Sequence, residues 1–172
     1  SVGERLFGLD VDRSGNRVAF GTERGEVKLI DTRTRSIINL RSLYVPVGAL
    51  AYLPNQDGLL VGTWDGEIQT VGIDEDFGEQ SLNSIPGTPR AVRVHERGSV
   101  AAVLAENGQI WLMDISGEGG KFEIESTFAN LKSVAFGQHR ELSGVSVEDD
   151  SVRLWLVRAE RVLEHLGVEP SE

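Results

Sequence analysis

The stretch VGTWDGEIQTVG, Val61 to Gly72, places a turn signal, Asp65-Gly66, between two apolar-rich runs. The arrangement returns as ERGEVKLID from Glu23, ENGQIWLMD from Glu106 and EDDSVRLWL from Glu148. Aligned on Gly25, Gly66, Gly108 and Asp150, the four copies stand 41, 42 and 42 residues apart. Two places after the anchors come Val27, Ile68, Ile110 and Val152; five places before come Phe20, Val61, Val103 and Val145. Sixteen places before stand Leu9, Leu50, Val92 and Val134. A register held over three intervals is the mark of a repeat architecture and outweighs any single dipeptide.

Each unit reads as four short strands with apolar residues at period two, separated by turn chemistry such as Ser14-Gly15-Asn16, Arg97-Gly98 and Asn107-Gly108. In the first unit the strands are predicted over 7–11, 17–22, 26–30 and 36–40, and no long amphipathic helix is expected anywhere. Four short strands every 42 residues make the blade of a β-propeller, a sheet that buries both faces only by stacking on neighbours. The predicted fold is therefore all-β: a β-propeller of four blades of four antiparallel strands, over about 6–42, 48–85, 90–128 and 132–166, with a tail at 169–172.

On this register the units resemble WD-repeat blades over nearly the whole chain. The family pattern ends the third strand of each blade with Trp-Asp, five and six places after the anchor. Those places hold Ile30-Asp31, Val71-Gly72, Met113-Asp114 and Trp155-Leu156, so no unit has the complete pair. The family's Gly-His before the first strand is also absent, as VPVGAL, GTPRAV and NLKSVAF show. The Trp64-Asp65 pair lies seven residues too early to be the signature; it opens a turn.

Propellers run from about four to eight blades, and the WD-repeat resemblance implies more than four. An incomplete ring leaves apolar blade faces at both ends unless something covers them. A larger parent protein, a second copy forming an eight-bladed ring and a different chain are the three solutions. The first and third are favoured, because a start at Ser1 suggests a trimmed chain.

The composition, 40% hydrophobic and 26% charged, is that of an ordinary globular chain, and no apolar run approaches the roughly 20 residues of a membrane span. No membrane association is expected. With no cysteine, thiol catalysis and disulfides are excluded, and the cytoplasm is the expected compartment. The net charge of −10 disfavours nucleic acid, which calls for clustered Lys and Arg. Residues 1–48 carry eight basic against six acidic side chains and residues 49–172 nine against twenty-one, so a basic protein partner fits the later units.

No catalytic pattern is present. His95, His139 and His165 are scattered, with His95 and His139 expected as solvated neighbours in loops. SGEGGK, 116–121, lacks the full phosphate-loop pattern, and no serine sits in a nucleophile elbow. The acidic run Asp74, Glu75 and Asp76 reads as a solvated loop. No cofactor or metal is expected.

Propellers carry function on loops at the two ends of the disc. The WD-repeat resemblance implies the face made by the turns between second and third strands and the connections between blades. That face holds Arg24, Trp64, Asp65, Asn107 and Asp149 in the turns and Tyr44, Arg90 and Phe128 in the connections. Aromatic residues and Arg most often carry interface energy, so these are the candidate partner-binding residues, Trp64, Tyr44 and Arg90 foremost. Folding of the Trp64 ring onto a neighbouring blade is the competing reading. Trp111 and Trp155 are expected in the core between blades. The expected function is a non-catalytic protein–protein interaction and assembly module, the scaffold or sensing part of a larger protein or complex. The alternatives are an enzyme using an axial funnel and a homodimeric ring-forming structural protein. Small residues at the expected axial positions, Gly8, Ala49, Ala91 and Ser133, suit packing better than chemistry.

Overall fold

A computed structural model describes residues 3–74, 77–116, 120–124, 131–137, 141–148 and 151–158. Within them the chain forms fifteen strands in four antiparallel sheets, and no helix. The first sheet is β1 (Leu6–Val11), β2 (Arg17–Thr22), β3 (Glu26–Asp31) and β4 (Ile37–Ser42). The second is β5 (Val47–Tyr52), β6 (Gly58–Thr63), β7 (Glu67–Gly72) and β8 (Gln80–Ser84). The third is β9 (Pro89–Val94), β10 (Val100–Ala105), β11 (Ile110–Asp114) and β12 (Lys121–Ile124). The fourth shows β13 (Leu131–Phe136), β14 (Glu141–Glu148) and β15 (Ser151–Arg158). Strands neighbour one another in chain order within every sheet, so each sheet is a simple meander. The fourth strand expected for the last unit lies outside the described residues.

Strand β4 starts and ends later than the 36–40 expected from sequence. A bulge between Val27 and Lys28 carries its pairing on to Arg41 and Ser42, which the period-two pattern could not announce. The turn anchors behave as their residue types require: Gly25, Gly66 and Gly108 have φ of 80°, 91° and 86°. Each donates its N–H back to the carbonyl three residues earlier, Thr22, Thr63 and Ala105.

The sheets stack in sequence, and three apolar clusters fill the spaces between them. Ala19, Val27 and Leu29 of the first sheet meet Val47, Leu50, Leu59, Val61 and Val71 of the second. The other face of the second, with Ala51, Leu60 and Ile68, meets Val92, Val103, Trp111 and Met113 of the third. Leu104, Ile110 and Leu112 then meet Leu131, Val134 and Leu142 of the fourth, with Trp155 at the edge. Trp111 and Trp155 thus lie between sheets, as expected. This serial stacking, in which alternate residues of one strand serve two different neighbours, is consistent with a β-propeller-like fold.

Neither end of the stack is covered among the described residues. On the first sheet Leu6, Leu9, Val11 and Ile37 are 46–63% exposed, and on the fourth Val147, Val152, Leu154 and Leu156 are 45–76% exposed.

Polar clamps reinforce the stack at the period of the repeat. The Tyr52 N–H donates to Asp10 at 2.8 Å, and the Asn55 amide donates to the Arg97 carbonyl at 2.9 Å, each across 42 residues. His95 is not a solvated loop histidine. Its ring meets Phe136 edge-on at 5.2 Å, its Nδ1 accepts the Arg97 N–H, and burial, the largest influence on it, holds its pKa below the ordinary value. His139, which was expected beside it, lies outside the described residues, as do His165, Glu75, Asp76 and residues 117–119.

Candidate functional site

The first strands of successive sheets, β1, β5, β9 and β13, lie side by side, and the starts of the first three meet. They approach closely there: a Cβ on Gly8 would lie 2.9 Å from the Ala49 Cα, and one on Gly48 would lie 2.3 Å from the Pro89 carbonyl oxygen. Each first strand has a bulge at its start, around Gly8, Gly48, Arg90 and Lys132. Bulges re-aim side chains at the ends of strands. Of the small residues noted from the sequence, Gly8 and Ala49 are thus explained by packing.

Trp64 lies at this convergence. Its N–H donates to the Pro46 carbonyl at 2.9 Å and its carbonyl accepts the Thr88 hydroxyl at 3.1 Å, so its backbone is tied to the connections on both sides of its sheet. The ring meets Phe7 of the first sheet edge-on, with centroids 5.2 Å apart and planes at 70°. The indole is folded onto a neighbouring sheet and still 44% exposed. The competing reading from the sequence, a ring folded onto a neighbouring blade, is the one this contact matches.

Trp64 and Phe7 line a cleft of about 400 Å³ together with Arg5, Gly48, Thr88, Pro89, Arg90 and Glu106. Arg90 donates to Glu106 at 3.3 Å while remaining substantially exposed. The chemistry offered is an aromatic and proline surface lined also by two arginines and one glutamate. Arg5, Phe7, Thr88 and Pro89 were missed from the sequence because they come from different units. The turn-by-turn reading selects one loop at a time and does not show what the bulges bring together.

The other expected residues divide. Tyr44 is 94% exposed with φ of 61°, an uncommon conformation for a bulky side chain. It lies above the turn of the first sheet, where a Cβ on Gly25 would come within 3.1 Å of the Tyr44 N. Arg24 is exposed, 3.9 Å from Glu4. Asp65 accepts the Thr63 hydroxyl at 2.6 Å, and Asn107 bonds the Gln109 backbone and amide, so both serve their own turns. Phe128 and Asp149 lie outside the described residues.

A second, wider cleft opens at the opposite ends of the strands, among Asp10, Asp12, Arg17, Tyr52, Asp57 and Arg97. Its acids and bases nearly balance. The Tyr52 hydroxyl is buried there with no hydrogen-bond partner, and burial, followed by the Asp12 carboxylate, pushes its pKa up to about 12. Among the described residues no group of three His, Asp or Glu side chains is placed to hold a metal, and no helix is long and apolar enough to cross a membrane.

No family model and no curated protein matches the chain. Among solved structures, the crystal structure of the computationally designed Ika4 protein is similar to it, with a TM-score of 0.69 and 18% identity over 91% of this chain and 94% of that one. At that identity the likeness concerns the fold alone.

Proposed function

We propose that the chain is a partial, WD-like β-propeller of four blades that works as a non-catalytic protein-interaction and assembly module within a larger protein or complex. The observation that carries this reading is the Trp64 cleft. A half-exposed indole is braced on Phe7 and fixed at both backbone groups, with Arg5 and Arg90 lining the same cleft. Rigid aromatic anchors beside Arg are the side chains that carry most binding energy at protein interfaces. The cleft fits an apolar side chain of a partner segment next to a carboxylate, which the guanidinium groups receive. Tyr44, exposed on the preceding connection, extends the same face.

Selection of short peptides on the immobilised chain tests this. Peptides with an apolar residue beside Asp or Glu are expected to be recovered. Trp64→Ala is expected to weaken them at least about tenfold, or ~1.4 kcal/mol, while thermal unfolding changes little. Equal binding by the variant, or its failure to fold, refutes the assignment.

A further inference from the structure

Among the described residues, the two ends of the stack expose apolar positions that are covered at the equivalent places between sheets. The positions two and four places after the anchor are Val27 and Leu29, Ile68 and Thr70, and Ile110 and Leu112 in the first three sheets, all at most 7% exposed against the following sheet. Their equivalents in the fourth, Val152 and Leu154, are 73% and 76% exposed. Sixteen places before the anchor, Leu50, Val92 and Val134 are at most 1% exposed against the preceding sheet, whereas Leu9 is 59% exposed. The strand register confirms that each set occupies one face. Leu9 is opposite Phe20, and Val11, Val18, Ile30 and Ile37 are in line, while Leu154 pairs with Val145 and Val152 with Val147.

We infer that a second copy of this chain covers both ends, head to tail, in a closed two-fold ring. The inference rests on the propeller reading of the fold and is independent of the Trp64 cleft. Leu29 and Leu50 share the cluster between the first and second sheets, and Leu112 and Val134 share that between the third and fourth, so the same register sets Leu154 of one copy against Leu9 of the other. Each seam would cover eight large apolar side chains now about half or more exposed, at roughly 60–100 Å² each. One seam gives about 500–800 Å², below a stable interface, whereas the two seams of a closed dimer give about 1,000–1,600 Å², within the range of one. A partner at one end alone therefore falls short where a second copy does not. Two copies of four sheets also make eight blades, within the size range of propellers, and three copies would exceed it. Charge favours unlike ends meeting: residues 1–42 carry eight basic against six acidic side chains, and residues 131–172 five against eight.

Sedimentation of the 172-residue chain tests the ring. The wild type is expected at twice 18.8 kDa. Leu9→Lys and Leu154→Asp, both at exposed positions and checked for folding by circular dichroism, are each expected to sediment as monomers. The double variant Leu9→Lys/Leu154→Asp is expected to regain the dimer, because each seam then joins a cation to an anion. A wild-type monomer at high micromolar concentration overturns the proposal and assigns the ends to further blades or another chain. A double variant no better than the singles overturns the head-to-tail pairing. Neither result touches peptide binding at Trp64, whose loss would in turn leave the dimer intact.

Discussion

Replacing Gly66 with alanine separates two costs that the repeat imposes on its turns. At φ of 91° any residue with a Cβ is strained, at about 1–2 kcal/mol. The added methyl would also stand 2.2 Å from the Ile85 carbonyl oxygen and 3.2 Å from that of Gly87. Neither neighbour is a flexible side chain. Ile85 is itself tied to the turn, since its N–H donates to the Gly66 carbonyl at 2.9 Å. Relieving the overlap shifts backbone, at about 1–3 kcal/mol, so the total loss is about 2–5 kcal/mol. Gly15 is the control: its φ is 75°, and a Cβ there would meet nothing within 4 Å. Gly15→Ala carries the strain alone, partly offset by a stiffer unfolded chain, for a net loss of about 1 kcal/mol. In urea unfolding the Gly66 variant should lose at least twice as much as the Gly15 variant. Its Tm should fall by about 4–20 °C, against about 2–4 °C for the control. Equal losses would show that the turn is not pinned beneath the connection before β9, and would remove the backbone basis for the cleft.

Leu60, fully buried between the second and third sheets, should cost about 2–5 kcal/mol as Leu60→Ala; a loss under 1 kcal/mol would deny the serial stacking. In a Tyr44→Phe variant Tyr52 is the one remaining tyrosine, and its absorbance titration should be centred near pH 12, not at the ordinary 10. Because the folded state holds the neutral phenol while the unfolded chain ionises near 10, this group's contribution to stability is complete below pH 10 and declines from 10 to 12. A midpoint at 10 would place the Tyr52 hydroxyl in water.

The strand pattern was legible because it is local. Alternating apolar residues and glycine turns repeat at 41 to 42 residues, and β2, β3 and their counterparts fall where that pattern puts them. The positions of Trp111 and Trp155 followed from the same register. The late end of β4 did not follow, since a bulge changes pairing without leaving a mark in hydrophobic alternation. The environment of His95 was misread because Phe136, its neighbour, comes from another unit.

The sequence by itself determined that the chain is all-β, built of four equivalent units, and that Trp64-Asp65 belongs to a turn. Only the tertiary structure decided what Trp64 touches, which residues share its cleft and which apolar faces are left bare among the described residues. The reason is physical. Period and turn chemistry act between residues a few places apart, whereas the cleft depends on how closely the backbones of Gly8, Gly48 and Pro89 approach across sheets. The burial of Leu29 and the exposure of Leu154, equal letters at equal places in the repeat, depend on whether a neighbouring sheet is there to meet them.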